Sequence, residues 1–357
     1  MHDEPTERQA WIILNGFPGL GPVKLNALLA EAGGDPRRLL GTLGSDWRKD
    51  FDLEREEECI AKNCADFITP ADPAYPQLLR EIHDPPLGLY RKGRYALDRP
   101  CIAIVGSRRT TLYGLGVAKK IASELARAGF CVVSGLARGI DAAAHEGALA
   151  AGGRTVAVLG SGLDFTYPPE NRSLYRRIEE SGALLSEFPF GCPPDRATFP
   201  QRNRIVSGLS TAVVVVESDV SGGSMITARF AGEQGRALFA VPGRIDQPTS
   251  AGCHQLIRDG ATLLTSVDDI FSELSYLGGM RPLPIPPKAR SASRKSRPPL
   301  AGDEKAVLAQ FSGGAILGLD ALAEQTKLSA AQISASLMML ELKHLLSKRL
   351  DGKYEAA

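Results

Sequence analysis

Two arginines flank an asparagine in the run Arg202-Asn203-Arg204, close to the start of an expected apolar helix. The helix leads into residues 211–217, an apolar run typical of a buried strand. Charged side chains beside a buried sheet are costly unless something pairs with them, and the start of a helix attracts anions through its free N–H groups and its dipole. The run therefore predicts a phosphate site. The structural alternatives are capping of the helix and ion pairs with carboxylates of a dimer partner.

Turns rich in glycine and serine follow four of the expected strands, and they are Gly106-Ser107-Arg108, Ser134-Gly135-Leu136-Ala137-Arg138-Gly139, Gly160-Ser161-Gly162 and Ser221-Gly222-Gly223-Ser224. The carboxyl ends of the strands in an open α/β sheet meet at one crevice, where such turns expose N–H groups to phosphates. Arg108 and Arg138 belong to two of these turns, and we expect Arg202 and Arg204 at the same rim. Together these residues predict a site for a polyphosphate or a nucleic-acid backbone.

Motifs for several kinds of catalysis and cofactor binding are absent. The sequence has no GxxxxGK[ST], HExxH or GxSxG, and the turn after the first expected strand of the sheet lacks GxGxxG. Asp141 and His145 are four residues apart and can share a helix face. They form either an acid–base pair or, as we favour, a structural pair in which Asp141 anchors its helix and His145 makes a structural hydrogen bond. We therefore predict no catalytic residue, no metal site and no cofactor.

The elements that would position this site follow a regular rhythm after residue 100. Short apolar runs alternate with amphipathic helical stretches, a pattern typical of βαβ units and a parallel sheet. The expected strands are 101–105, 130–134, 154–159, 183–187, 211–217, 237–241 and 262–264, and a helix over 267–277 closes the series. The pattern predicts an α/β fold, an extended Rossmann-like, doubly wound, mostly parallel sheet.

Smaller regions flank this sheet, and we predict four parts: a helical domain at 1–65, a Rossmann-like domain at 66–280, a linker at 281–300 and a winged-helix domain at 301–357. Residues 17–29 resemble a helix-hairpin-helix, which either holds a backbone phosphate or only reverses the chain. Residues 66–96, rich in proline, are expected to be an irregular connector. The linker is rich in proline and serine and carries only basic charges, so we expect an extended tether.

The C-terminal pattern consists of helices at 318–326 and 329–346, with Ser329 as N-cap, and a hairpin at Asp351-Gly352. The first basic residue of the second helix is Lys343. Helices that read duplex DNA normally carry several basic residues. We therefore favour a structural or partner-binding role for this domain over contact with DNA.

The composition of the 357-residue chain is that of an ordinary soluble protein, with 43% hydrophobic and 23% charged residues. Because the net charge is only +1, a surface that binds anions must be a local basic patch. Six scattered cysteines lack zinc-site spacing and are expected to be buried, reduced thiols of a cytoplasmic protein. We find no signal peptide and no apolar run of membrane-spanning length.

The motifs together resemble the DprA/Smf family (DNA-processing protein A). The resemblance rests on the turns at 106–108 and 134–141, on Tyr167-Pro168, Ser186-Glu187, Phe199-Pro200 and Arg202-Asn203-Arg204, and on residues 221–224, 226–228 and Pro242-Gly243. It covers residues 70–275 closely, and both flanking regions resemble domains found in many members. Two positions depart from the family pattern: Pro169 stands where many members have lysine, and His254 where asparagine is usual.

The resemblance implies a cytoplasmic bacterial protein that binds incoming single-stranded DNA in natural transformation. Such proteins protect the strand and load the RecA recombinase onto it, typically as homodimers and with no established catalytic step. Carried over by motif, Gly106, Ser107 and Arg108 would contact backbone phosphate. The positive pocket would continue at Arg202, Asn203 and Arg204.

Two other functions remain as alternatives. A nucleotide phosphoribohydrolase would need a glutamate next to its glycine turn, and residues 221–229 contain no carboxylate. A Rossmann-type nucleotide-binding sensor would use the same crevice for a small phosphate ligand. Only the size of the ligand distinguishes the sensor from a protein that binds DNA.

Overall fold

The computed structural model describes residues 4–17, 19–44, 47–95, 97–278, 300–312, 315–349 and 351–356. They fall into two compact units, one before and one after residues 279–299. The tether expected at 281–300 lies, except for its last residue, outside the described residues.

A nine-stranded sheet is the centre of the first unit, in the order β1-β2-β6-β5-β4-β3-β7-β8-β9. Its strands are β1 (Ala65–Ile68), β2 (Leu89–Gly93), β3 (Cys101–Val105), β4 (Cys131–Ser134), β5 (Thr155–Val158), β6 (Ala183–Ser186), β7 (Ala212–Val215), β8 (Ala237–Ala240) and β9 (Thr262–Leu263). Strands β3 to β9 are mutually parallel, and all seven were expected from the sequence. The prediction of a mostly parallel, doubly wound sheet is confirmed.

The five central strands are buried on both faces, as parallel strands covered by helices are; every residue of β3, β4, β5, β6 and β7 is buried. The helices of the unit are α1 (Glu7–Asn15), α2 (Pro22–Glu31), α3 (Pro36–Leu43), α4 (Trp47–Asp50), α5 (Leu53–Lys62), α6 (Gln77–Arg80), α7 (Leu112–Arg127), α8 (Ile140–Ala150), α9 (Arg172–Ser181), α10 (Thr198–Gly208), α11 (Gly223–Glu233), α12 (Pro248–Arg258) and α13 (Val267–Gly278). Helices α7, α8 and α13 share a hydrophobic cluster with one face of the sheet, and α10, α11 and α12 share one with the other face.

Two strands at one side of the sheet, β1 at the edge and β2 next to it, contradict the expectation of an irregular connector at 66–96. Strand β1 pairs antiparallel with β2, and β2 pairs antiparallel with β6. Phe67 and Tyr90 are directly opposite in this pairing, and their ring centroids are 4.9 Å apart, a cross-strand aromatic contact that stabilises the edge. The prolines that suggested a loop all lie between the two strands.

The N-terminal helices pack onto this edge of the sheet. Helices α1, α2, α3 and α5 contribute to the same hydrophobic cluster as α9 and strands β1, β2, β5 and β6. Helix α1 begins at a capping box in which Thr6 and Gln9 bond to each other's backbone N–H groups. Helix α2 begins with Pro22 at its first position, where the missing N–H costs nothing.

The second unit has the expected winged-helix pattern: α14 (Gly302–Ala309), β10 (Ile316–Leu317), α15 (Leu319–Thr326), α16 (Ala330–Leu342), β11 (Leu346–Lys348) and β12 (Tyr354–Ala356). Ser329 caps α16, and its hydroxyl accepts the N–H of Gln332. The helix ends at Leu342, earlier than expected, because His344 adopts φ 54° and Leu346 enters β11. Strands β11 and β12 form the expected hairpin around Asp351 and Gly352.

Two general features bear on function. No helix in the described ranges is both long and apolar enough to cross a membrane. All six cysteines are free, and Cys101, Cys131 and Cys253 are buried, but Cys64 is exposed.

Candidate functional site

A pocket of about 670 Å³ opens beyond the carboxyl ends of β3 and β7. These two strands are neighbours, and the chain order reverses between them, so the pocket lies at the topological switch point where open α/β sheets bind ligands. Its lining includes these residues predicted from the sequence: Gly106, Ser107, Arg108, Arg202, Asn203, Gly222, Gly223 and Ser224. Asn203 Nδ2 donates to Gly223 O at 3.3 Å and so connects α10 to the start of α11.

A buried glutamate holds the turn after β3 in place. The carboxylate of Glu217 accepts hydrogen bonds from Thr110 Oγ1 (2.5 Å), Thr111 Oγ1 (2.5 Å) and Thr111 N (2.9 Å). Ser107 N donates to the backbone oxygen of the same glutamate at 2.6 Å. A Cβ on Gly106 would lie 2.8 Å from that oxygen, so this position requires glycine. The Glu217–Thr111 anchor was not expected from the sequence because its partners are 106 residues apart.

The N-terminus of α11 opens into the pocket. Its N-cap, Gly222, provides no side chain to satisfy the first N–H groups. Nothing lies within 4 Å of the position that a Cβ on Gly223 would occupy. Ser224 Oγ donates to Ser218 Oγ at 2.7 Å, which fixes the first turn. Free N–H groups and the positive end of the helix dipole therefore face the pocket, an arrangement that suits an anion.

Arg202 forms part of the pocket wall and is only 4% exposed. Its Nη2 donates to Gly135 O at 3.0 Å, while among the described residues no atom accepts a hydrogen bond from its Nε. Burial lowers the pKa of Arg202 to about 10, so the guanidinium stays charged at neutral pH. A buried cation with a free donor is costly unless a ligand completes its bonding.

Asp141 lies beside this arginine and also lines the pocket. Its Oδ2 accepts the N–H groups of Gly135 (3.2 Å) and Ala137 (3.4 Å). Burial raises the pKa of Asp141, an effect that the charge of Arg202 opposes. The carboxylate thus anchors the turn before α8, which agrees with the structural interpretation of this residue.

His145, one turn further along α8, is fully buried and is not part of the pocket lining. Its Nδ1 lies 2.6 Å from Thr155 Oγ1, and that hydroxyl donates to Val132 O at 2.7 Å. Since the hydroxyl proton is used, Nδ1 must be the donor to Thr155. Burial lowers the pKa of His145 to about 3, so the ring is neutral. This is a structural histidine.

A second, smaller pocket shares Arg108, Ala137, Phe199 and Arg202 with the main one. The small pocket is lined by Arg108, Gly135, Ala137, Arg138, Tyr167, Pro168, Phe199 and Arg202. The ring centroids of Tyr167 and Phe199 are 5.5 Å apart, and the guanidinium of Arg108 lies 5.1 Å from the centroid of Phe199. Arg138 forms an ion pair with Glu170. We call the Tyr167–Phe199 pair the aromatic ridge.

Three predicted site residues have other surroundings. Arg204 is 3% exposed and pairs with Asp84 (Nε–Oδ2, 2.9 Å) and Glu187 (Nη2–Oε2, 2.6 Å), so it does not extend the positive pocket. Ser134 Oγ donates to Ile104 O at 2.7 Å and ties β4 to β3. Gly160 supports Phe199, because a Cβ there would lie 2.8 Å from the ring.

Helix α10 also begins earlier than expected. It starts at Thr198, so Arg202 and Arg204 lie in its second turn and not at its N-terminus. Pro200 in the first turn is compatible with helix, because its missing N–H is not needed there. The arginines therefore act through their side chains, and the helix dipole that faces the pocket is that of α11.

Other lining residues were not singled out from the sequence, and they include Arg109, Arg196, Asp219 and Thr249. Arg109 follows Arg108 directly, a signal that could have been used. Thr249 gave no signal, yet this residue lines the pocket, and its buried Oγ1 has no partner among the described residues. With four arginines and two aspartates on its described wall, the pocket carries an excess of positive charge.

The described ranges contain no group of three or more His, Cys, Asp or Glu side chains that could hold a metal ion. The N–H groups, guanidiniums and hydroxyls on the pocket wall can donate hydrogen bonds to anions.

Comparison with known proteins links this geometry to a family. The model of the family described as DNA recombination-mediator protein A matches residues 66–275, and that of the DprA winged helix domain matches residues 291–352. Protein Smf of a Synechocystis species is 34% identical over 397 residues, covering 98% of this chain and 99% of the relative. The DNA processing protein DprA of Streptococcus pneumoniae is 44% identical over 206 residues, covering 57% of this chain and 73% of the relative.

Two solved structures are also similar. The crystal structure of DNA processing protein A from Streptococcus pneumoniae superposes with a TM-score of 0.66 at 34% identity and covers 76% of this chain and 99% of that chain. The DNA processing protein A of Helicobacter pylori, described with a single-stranded DNA binding mode, gives a TM-score of 0.54 at 33% identity and covers 59% of this chain and 96% of that chain.

Proposed function

The chain belongs to the DNA recombination-mediator protein A family of DNA-processing proteins, and from this premise we propose that it binds single-stranded DNA in the pocket beyond β3 and β7. The observation that carries the proposal is Arg202. A buried guanidinium that lines a pocket with an unused donor needs an anionic or strongly accepting ligand. A strand of DNA supplies such groups along its whole length.

Each part of the pocket has a role in this proposal. The N–H groups at the start of α11 and in the turn at Gly106 and Ser107 hold a backbone phosphate. Three arginines, Arg108, Arg109 and Arg196, are exposed on the wall and hold neighbouring phosphates. The buried Arg202 donates its unused hydrogen bond to the strand. None of these contacts depends on the base, so binding should tolerate any sequence.

The wider role follows from the family. We propose that the protein acts in the cytoplasm, protects incoming single-stranded DNA and helps to load the RecA recombinase onto it, without a catalytic step of its own and as a homodimer. Gly135 and Arg138 border the smaller pocket and Asn203 the main one, so they remain proposed binding residues. Ser134, Gly160 and Arg204 are proposed to support the site and not to touch the strand.

The pocket volume of about 670 Å³ would also admit a nucleoside phosphate, so a nucleotide sensor is the second candidate. The decisive experiment is fluorescence anisotropy of a labelled oligo-dT at two salt concentrations, with a duplex of equal length and a nucleoside monophosphate as competitors. If the pocket neutralises ~3–4 phosphates, log K should fall with log salt at a slope of about −2 to −3. Preference for the single strand supports the proposal. Absence of strand binding, together with direct binding of the mononucleotide, would favour the sensor.

A further inference from the structure

Helix α9 displays arginines that take no part in folding. Arg172, Arg176 and Arg177 are exposed, and among the described residues none of them forms an ion pair or a hydrogen bond. The opposite side of the helix, with Leu174 and Ile178, is buried against the sheet. An arginine that stabilises a fold normally bonds to a carboxylate or a carbonyl. These side chains are therefore available to an anionic partner.

The start of α9 is fixed to the pocket. Asn171 Nδ2 donates to Leu136 O (2.9 Å) and Ala137 O (3.3 Å), both in the turn after β4. Glu170 forms an ion pair with Arg138 of the same turn. Just before them, Tyr167 of the aromatic ridge lines the small pocket. The start of α9 is thus held beside the small pocket by the Asn171 amide and by the Glu170–Arg138 ion pair.

Arg172 and Arg176 point to the same side of the helix because they are four residues apart, with Cβ atoms about 5–6 Å from each other. Glu180 is the next residue in this row, and it is also exposed. Because the carboxylate of Glu180 repels phosphates, only the part of the row with Arg172 and Arg176 offers positive charge to a strand. On the neighbouring side, Glu179 is neutralised by Lys92, with Nζ–Oε1 at 3.2 Å.

We propose that single-stranded DNA leaves the pocket over the aromatic ridge and continues along α9, where Arg172 and Arg176 each contact a backbone phosphate. This inference rests on the proposed binding of DNA in the main pocket and extends the site beyond it. The ridge offers ring faces on which bases can stack between the two basic regions. The occupied length of DNA then exceeds what the pocket alone would hold.

The test uses the full-length protein with Arg172→Ala and Arg176→Ala combined. Affinity for an oligo-dT of about 16 nucleotides and for one of about 4 nucleotides is measured by anisotropy over a range of salt. Because this variant neutralises two phosphates fewer, the slope of log K against log salt for the long strand should become about 1.4 shallower. Between about 50 and 200 mM salt, the advantage of the wild type over the variant should therefore fall about sevenfold. Binding of the short strand should not change.

The matched control combines Arg127→Ala with Arg258→Ala. Both arginines are exposed at the C-terminal ends of α7 and α12, which precede the amino ends of β4 and β9, whereas the pocket lies beyond the carboxyl ends of β3 and β7. The change in net charge is the same. The control should keep the wild-type slope. An unchanged slope in the α9 variant, with intact binding by the wild type, overturns the inference and leaves α9 for a different partner. Failure of the wild type to bind either strand instead overturns the proposed function.

Discussion

Arg202 and Asp141 hold the backbone of Gly135 from its two sides. Arg202 Nη2 donates to Gly135 O at 3.0 Å, and Asp141 Oδ2 accepts the N–H of Gly135 at 3.2 Å. The two charges also attract each other. The turn after β4 is thus clamped between a buried cation and a buried anion, and the cation is oriented toward the pocket by the same contact.

Gly135→Ala should release this clamp. The new Cβ would lie 1.5 Å from Arg202 Nη1, so the guanidinium must move. Overpacking of this kind costs about 1–3 kcal/mol, and we expect affinity for single-stranded DNA to fall about tenfold or more because a charged hydrogen bond is displaced. Urea unfolding and anisotropy measure the two effects. Gly116→Ala in α7, where a Cβ meets nothing within 4 Å, is the control and should bind normally; equal binding by both variants would contradict the clamp.

Arg204→Ala should destabilise the fold rather than remove a DNA contact. It would leave Asp84 and Glu187 without their shared cation in a buried site, and breaking a buried ion pair costs about 3–5 kcal/mol. Chemical unfolding should show this loss, while binding at a temperature where the variant is folded should keep the wild-type salt slope. Arg91→Ala, which breaks the exposed pair with Asp66, should cost less than about 1 kcal/mol. A shallower slope of log K against log salt for Arg204→Ala would show that Arg204 contacts the strand and contradict this prediction.

The contrast between Arg202 and Arg204 shows where prediction from the sequence ends. The sequence places both on one apolar helix, and nothing local distinguishes them. Their roles depend on Asp84, which is 120 residues from Arg204, and on the peptide of Gly135, which is 67 residues from Arg202. Contacts between residues so far apart in the sequence cannot be derived from a local pattern, because they form only when the chain folds.

The seven parallel strands, by contrast, were predictable because each lies in a short apolar run that alternates with a helical stretch. Strands β1 and β2 were missed because the proline-rich segment that separates them has turn signals that dominate the pattern. The glycine turns at the strand ends were predictable as a group, since the carboxyl ends of parallel strands share one edge. It was not predictable which of these turns line the main pocket, because that depends on the order of the strands in the sheet.

Thr249→Val should weaken DNA binding without loss of stability. Thr249 lines the pocket, and its buried hydroxyl has no partner among the described residues, so removal of the hydroxyl breaks no bond seen in the free protein. If DNA completes its bonding, affinity should fall about fivefold, the value of one ordinary hydrogen bond. Thr211→Val is the matched control: Thr211 Oγ1 donates to Cys101 O at 3.1 Å, away from the pocket. That variant should lose stability and bind normally, and the same behaviour from Thr249→Val would exclude contact with the strand.

His145 should make the protein sensitive to acid. Its pKa is lowered to about 3 by burial, whereas in the unfolded chain it is about 6.5. Below pH 6.5 the unfolded state therefore binds a proton at this residue, and the folded state does not. The free energy of unfolding keeps its full value above pH 6.5 and declines as the pH falls toward 3. In this range His145 alone should lower the free energy of unfolding by about 1.4 kcal/mol for each pH unit. Urea midpoints at pH 7, 6 and 5 should decline less steeply in His145→Asn, which keeps an N–H donor for Thr155. His83→Asn, at an exposed histidine, should retain the wild-type slope, and identical slopes in all three proteins would show that His145 is protonated in the fold.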